Sequence, residues 1–130
     1  MTVELPTIVS EHIRAVNAGD VDAVVATFTD DALVNDARRE FRGARQIRVW
    51  IAEEIVGDRV TMQPIEAAEH HGTTVLRASY DGDFDKSGLP DPVILTNYVT
   101  IRDGRIATLI VILNDPAPRV RGLLLAEVQG

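Results

Sequence analysis

The organisation of this chain is decided at residues 30–43, which read DDALVNDARREFRG. Residues 33–36 predict a short strand, and the arginine-rich residues that follow predict a turn and a return strand. Asp36 lies two residues after Val34, and on an extended segment two such side chains point to the same side. If Val34 faces a hydrophobic core, Asp36 faces it too, either as a structural hydrogen-bond acceptor or as a reagent.

Composition excludes several classes of function. The 130 residues predict one domain, 1–130, which can bury about two-thirds of its unfolded surface. No cysteine is present, which excludes disulfides, thiolate metal sites and a cysteine nucleophile. Twenty acidic residues against 13 basic ones give a net charge of −7, which argues against nucleic acid or an anionic membrane as partner. We expect no signal peptide or membrane span, and therefore a cytoplasmic protein.

Hydrophobic periodicity changes from helical to strand-like near residue 60. Pro6 suits the first turn of a helix, Gly19 its C-terminal cap, and Asp20 the N-cap of the next helix. The predicted helices cover residues 5–18, 21–28 and 44–55. The predicted strands cover residues 33–36, 40–42, 60–70, 73–80, 93–102 and 106–113. Helices followed by an antiparallel meander indicate an α+β fold, with helices packed on one face of a curved sheet.

Three stretches in the first 50 residues carry a family resemblance. They are residues 17–23 (NAGDVDA), 28–32 (FTDDA) and 42–50 (RGARQIRVW). With the order of elements, they resemble the SnoaL-like branch of the nuclear transport factor 2-like superfamily. The resemblance implies a cone: a strongly curved, mostly antiparallel sheet of about six strands, with three N-terminal helices closing an apolar pocket. It also implies a homodimer through the outer face of the sheet.

This superfamily includes ketosteroid isomerases, polyketide cyclases, dehydratases, epoxide hydrolases and members without a known reaction, so the fold alone does not imply a function. The resemblance to ketosteroid isomerases implies three catalytic residues. Asp36 falls where that family has its catalytic base, His12 where it has a phenol that donates to the substrate oxyanion, and Asn97 near its protonated carboxylic acid. A neutral histidine and an amide can both donate hydrogen bonds, so the resemblance implies a base facing two donors. Because two of the three residue types differ, it does not extend to steroid isomerisation.

The residues themselves leave each role open. In an apolar cone, desolvation would make Asp36 a stronger base, whereas at the surface it would cap the turn at residues 37–39 or pair with an arginine. His12 lies on the apolar face of the first helix, either as a satisfied core histidine or as a pocket residue. Asn97 and Tyr98 are neighbours on a strand, so at most one of them faces the pocket.

Four further residues are predicted to bind substrate. Val34 precedes the candidate base by two residues, and Val99 belongs to the same apolar strand as Asn97. Asn114 follows the last predicted strand and is a polar candidate. Trp50 either packs in the core or forms a wall against an aromatic ligand.

Other charged and metal-like patterns have ordinary alternatives. Five arginines crowd one region, either to hold an anion at the pocket mouth or as a solvated face: Arg38, Arg39, Arg42, Arg45 and Arg48. Residues 81–92 begin like a calcium loop, but its sixth position is Lys86 and its twelfth is Pro92. His70 and His71 are expected to diverge at a turn and to make a poor metal pair. Without a phosphate-binding loop or a dinucleotide fingerprint, we expect no metal and no cofactor.

These observations predict a domain that binds a small, largely apolar molecule, cyclic molecules included. In an enzyme, Asp36 would remove a proton or activate water while His12 and Asn97 orient or polarise a substrate oxygen. Cofactor-free isomerisation, cyclisation or dehydration fits this arrangement. Epoxide hydrolysis fits less well, because the Asp-Arg-Asp relay that the resemblance implies for that branch has no evident counterpart. The alternative is a non-catalytic ligand-binding or dimerisation module.

Overall fold

Helices cover one face of a six-stranded curved sheet. The structure is a computed structural model that describes residues 3–113. The helices are α1 (Thr7–Ala18), α2 (Val21–Ala26) and α3 (Gly43–Trp50). The strands are β1 (Phe28–Asp36), β2 (Arg39–Arg42), β3 (Thr61–His70), β4 (Thr73–Asp81), β5 (Val93–Arg102) and β6 (Arg105–Leu113). Their order in the sheet is β2-β1-β6-β5-β4-β3, with only the β1–β6 pair of these strands parallel. The predicted α+β fold is confirmed.

The end of α1 is fixed by backbone geometry and by a side chain. Gly19 has φ 67°, the left-handed conformation that glycine favours, and its N–H reaches the carbonyl oxygens of Ala15 and Val16. Asn17 then pairs with β3 as a strand residue would: its Nδ2 donates to the Met62 carbonyl at 3.0 Å and its Oδ1 accepts from the Met62 N–H at 2.7 Å. This pairing ties the end of α1 to the sheet.

The boundary between α2 and β1 differs from the prediction. The helix predicted to extend to Phe28 ends at Ala26, and the strand predicted to begin at Leu33 begins at Phe28. The cause is pairing with a distant strand: Phe28 is in register with Ile106, whose N–H donates to the Thr27 carbonyl at 2.8 Å. Tertiary contacts therefore override the local helical pattern here.

The third helix is also not the single α-helix that was predicted for residues 44–55. The α-helical part ends at Trp50, and a π-helical turn, Ile51–Ile55, continues it, with the Val56 N–H bonding the Ile51 carbonyl at 2.7 Å. Such single-turn insertions are frequent at functional sites. Glu54 lies within this turn.

Cross-strand register sorts the concave face of the sheet into rows. One row contains Asp36, Val111, Asn97 and Leu76. The next row contains Val34, Leu109, Val99 and Thr74. Because neighbouring strands are about 4.8 Å apart, the backbones of Asp36 and Asn97 lie about 10 Å apart across the sheet. Register thus brings the candidate base and the candidate amide to the same level of the concave face.

No helix within residues 3–113 has both the length and the apolar character needed to cross a membrane.

Candidate functional site

A cavity of about 750 Å³ lies between the helices and the concave face of the sheet. Its volume is typical of small-molecule sites. The three predicted catalytic residues, Asp36, His12 and Asn97, all line it. Much of the remaining wall is apolar: Val16, Val24, Ile55, Val60, Met62, Phe84, Leu89, Val93, Leu95, Leu109 and Val111. Residues distant in sequence therefore meet in one largely apolar space.

Asp36 is held at the edge of this cavity by the helix that covers it. The indole Nε1 of Trp50 donates to Asp36 Oδ2 at 3.1 Å, and the Arg39 guanidinium lies 3.6 Å from the same oxygen. Within residues 3–113 no hydrogen bond or ion pair engages the other oxygen, Oδ1. The side chain is 26% exposed, so the carboxylate is neither fully buried nor free in solvent. In the described part of the chain, one oxygen is therefore fixed and the other has no protein partner.

The β1–β2 hairpin places Asp36 at its last paired position. Its two-residue loop consists of Ala37 and Arg38, with φ of 56° and 69°. Two consecutive positive φ values define a type I′ turn, which asparagine and glycine favour. Such strain persists where the surrounding structure fixes the chain, and here it lies beside the candidate base.

The structure forms a carboxylate–arginine–carboxylate arrangement that the sequence did not reveal. Arg39 donates to both oxygens of Glu54, at 2.9 and 2.6 Å, while it approaches Asp36. Glu54 reaches this position from the π-helical turn. The arrangement is a counterpart, with a glutamate as its second carboxylate, of the Asp-Arg-Asp relay that had no evident counterpart in the sequence.

His12 is buried, with 7% of its surface exposed, and its ring packs edge-on against Phe28. Burial lowers the pKa of His12 to about 4, so the imidazole is neutral near pH 7. Its Nδ1 lies 3.0 Å from the Thr27 hydroxyl oxygen, and that hydroxyl donates to the Val24 carbonyl at 2.6 Å. His12 is therefore a packed histidine that also lines the cavity.

Asn97 has a partner that the sequence reasoning missed. The Tyr80 hydroxyl donates to Asn97 Oδ1 at 2.9 Å, and Asn97 Nδ2 donates to the Leu76 carbonyl at 3.4 Å. The pKa of the Tyr80 phenol is raised overall, chiefly by burial and to a smaller extent by the nearby charge of Asp36. The hydrogen bond to Asn97 opposes this shift. Tyr80 was detectable: on β4 it follows Leu76 and Ala78 at two-residue steps, so it shares their inward face. Tyr98, the neighbour of Asn97, is 37% exposed instead.

Trp50 is both a core residue and part of the cavity wall. It is 4% exposed, and its ring stacks on Phe41 with centroids 5.8 Å apart and planes 27° from parallel. The same indole lines the cavity and bonds Asp36. Its two predicted roles are therefore compatible.

Two of the predicted substrate-binding residues lie in the core and not in the cavity wall. Val34 and Val99 are 0% and 2% exposed, belong to the hydrophobic core, and are not among the described residues that line the cavity. They occupy the row next to that of Asp36, on either side of Leu109, which does line the cavity. Asn114, like the apolar segment 123–125, lies outside the described residues.

The arginine-rich region consists largely of exposed ion pairs. Besides the Arg39–Glu54 pair, Arg48 lies 2.8 Å from Asp22 and Arg42 lies 3.4 Å from Glu40. Exposed pairs of this kind stabilise a fold by less than about 1 kcal/mol each. Arg38 differs, because it lines the cavity.

The two adjacent histidines have a geometry that differs from the prediction. The rings of His70 and His71 do not diverge as expected, since their centroids lie 4.5 Å apart in an edge-on contact. Nevertheless, residues 3–113 contain no group of three or more histidine, aspartate or glutamate side chains placed to hold a metal ion.

Known families account for this architecture. Residues 9–109 match the model of the SnoaL-like domain family, which spans most of the 130-residue chain. The chain is a member of this family. The predicted SnoaL-like branch of the nuclear transport factor 2-like superfamily is thereby confirmed. No curated protein matches this SnoaL-like domain.

Several solved structures are similar to this SnoaL-like domain. A proposed polyketide cyclase from Sinorhizobium meliloti is 34% identical, with 82% of this chain and 94% of that chain covered and a TM-score of 0.74. SalBIII, an epoxide hydrolase/cyclase-like enzyme of pyran ring formation in salinomycin, is 23% identical over 83% of this chain and 88% of that one, with a TM-score of 0.68. A protein from Catenulispora acidiphila with a ketosteroid isomerase-like fold, in complex with trimethylamine, is 21% identical over 83% and 85%, with a TM-score of 0.70. The last two comparisons bear on the fold alone.

Proposed function

We propose that this SnoaL-like domain binds a small, largely apolar molecule in the cavity and catalyses a cofactor-free proton transfer with Asp36 as general base. The observation that carries the proposal is the convergence of Asp36, His12 and Asn97 on one largely apolar cavity. A general base needs reach to the substrate and a fixed orientation. Oδ1 of Asp36, which has no partner among residues 3–113, supplies the reach, and the Trp50 hydrogen bond supplies the orientation.

The reaction class follows from what the site offers. A carboxylate base that shares a cavity with the neutral side chains of His12, Asn97 and Tyr80 suits isomerisation, cyclisation or dehydration, in which a carbon-bound proton is removed. The likeness to a proposed polyketide cyclase supports the cyclisation reading. The absence of a cofactor and the cytoplasmic location are parts of this proposal.

A second candidate reaction is the opening of an epoxide by activated water. The arrangement of Asp36, Arg39 and Glu54 favours it, because Arg39 connects two carboxylates beside the cavity. The alternative from another class is a cavity that binds its ligand and performs no reaction.

Isotope exchange tests the leading proposal without knowledge of the natural substrate. We expect the wild-type protein, with no added cofactor, to accelerate deuterium incorporation next to the carbonyl of 2-decalone in deuterium oxide. The exchange is followed by mass spectrometry or proton NMR. Binding of 2-decalone without any acceleration would favour the non-catalytic module, and absence of binding would contradict the apolar site itself.

We also propose that the domain is a homodimer through the outer face of its sheet. This face exposes apolar side chains on two adjacent strands, with Tyr98 opposite Ile110 and Ile112 50% exposed. Light scattering should then give about twice the chain mass of 14.2 kDa. Replacing Tyr98 and Ile110 together by Asp should halve this mass, because two buried charges oppose association. Val49→Asp, which changes an exposed apolar residue on α3, is the control. A wild-type mass of one chain would refute the dimer.

A further inference from the structure

We propose that His12 binds a hydroxyl group of the ligand, with Nε2 as the hydrogen-bond acceptor. The substrate is then an apolar molecule that carries an alcohol, phenol or enol hydroxyl within reach of His12. This inference rests on the proposed function, and it reverses the donor role that the resemblance implied for position 12.

The tautomer of His12 follows from the neighbouring threonine. The oxygens of the Thr27 hydroxyl and the Val24 carbonyl are 2.6 Å apart, which requires a proton between them. A carbonyl carries no proton, so the single hydroxyl proton of Thr27 points at Val24. Thr27 can therefore only accept from His12 Nδ1, and Nδ1 carries the imidazole proton. In the neutral ring, Nε2 is then a bare acceptor.

Nε2 is the ring nitrogen of His12 that Thr27 does not contact. His12 lines the cavity, whereas Thr27 is not among the described residues that do. Within residues 3–113, the His12 ring makes one hydrogen bond, the one at Nδ1. A ring that is 7% exposed and has an unpaired acceptor is an exception to the rule that buried polar groups are bonded. A hydroxyl from the ligand would satisfy it.

The hydrogen-bond directions at Asn97 and Tyr80 can be assigned by the same argument. Leu76 offers a carbonyl oxygen, so the Asn97 atom beside it must be the donor Nδ2. Oδ1 consequently faces Tyr80 and must accept the phenol proton. The Tyr80 oxygen then has only lone pairs left for a ligand. Trp50 likewise donates its indole proton to Asp36. The Tyr80 oxygen and the Asp36 carboxylate are thus acceptors, which suits a ligand that brings its own donor.

Paired probes test this inference. Calorimetry should show that 2-decalol binds the wild-type protein about five- to tenfold more tightly than 2-decalone, the worth of one hydrogen bond. His12→Asn keeps a donor for Thr27 and removes Nε2, so the preference should fall to about one. His70→Asn, at an exposed histidine, should keep the preference. Equal affinity of the two probes for the wild type, or an unchanged preference in His12→Asn, overturns the inference and leaves the proposed apolar site standing.

The tautomer itself is measured independently of any ligand. Long-range nitrogen–proton correlation NMR of the wild-type protein should show His12 protonated at Nδ1 and bare at Nε2. A proton on Nε2 overturns the inference even if His12→Asn fails to fold. If neither probe binds, the proposed function fails and the inferred ligand class fails with it.

Discussion

Asp36→Asn is expected to slow deuterium incorporation into 2-decalone by about 10²- to 10⁴-fold, the usual contribution of a general base. The amide oxygen of asparagine can still accept the Trp50 indole proton, and Arg39 keeps its two bonds to Glu54. The fold and the affinity for 2-decalone should therefore change little. What the variant loses is the ability to take a proton, because an amide is not a base near neutral pH.

The matched control is Asp30→Asn, the same chemical change on the same strand. The Asp30 side chain is 94% exposed and does not line the cavity within the described part of the chain. The Asp30→Asn protein should catalyse deuterium incorporation into 2-decalone at the wild-type rate. An Asp36→Asn protein that retains the wild-type rate within about twofold would rule out Asp36 as the base.

The free energy of unfolding is expected to fall as pH decreases from about 7 towards 4, with His12 alone contributing roughly 3 kcal/mol. Burial lowers the pKa of His12 from 6.5 to about 4. Between these two values the unfolded chain binds a proton that the folded protein does not. Stability therefore increases with pH across this window, and the contribution of His12 is lost as pH falls through it.

His12→Asn isolates this contribution, because asparagine does not titrate. Three carboxyl groups also reduce the stability of the protein when acid protonates them: Asp31, Asp81 and Asp85. Hydrogen bonds with Arg102, Lys86 and the Ser87 N–H, respectively, lower their pKa values. They are present in both proteins, so the difference between the two urea-unfolding curves reports His12. The wild type should lose more stability than the variant as pH falls. Parallel pH profiles would show that His12 can be protonated in the folded state.

The sequence predicted the fold where local and tertiary preferences agree. Two-residue alternation placed Asp36 on the side of Val34, and register confirms that both belong to the concave face. The prediction that Phe28 ends a helix was wrong, because pairing with Ile106, far along the chain, makes Phe28 the first residue of a strand. The sequence could not predict the π-helical turn, since one inserted residue leaves the apolar spacing nearly unchanged.

The site was predictable as a set of residues but not as a hydrogen-bond network. Family position identified Asp36, His12 and Asn97, which all line the cavity. Tyr80 was overlooked although strand alternation marks its face. The tautomer of His12 depends on Thr27, 15 residues away, and such a contact is visible only in three dimensions.

The position of the only tryptophan has a practical consequence. Trp50 lies in the cavity wall, stacks on Phe41 and bonds the candidate base. Its ultraviolet emission therefore originates at the site itself, with no second indole to dilute the signal. Each molecule carries a built-in optical reporter of what occupies the cavity and of the charge on Asp36, so transparent compounds can be surveyed without any label.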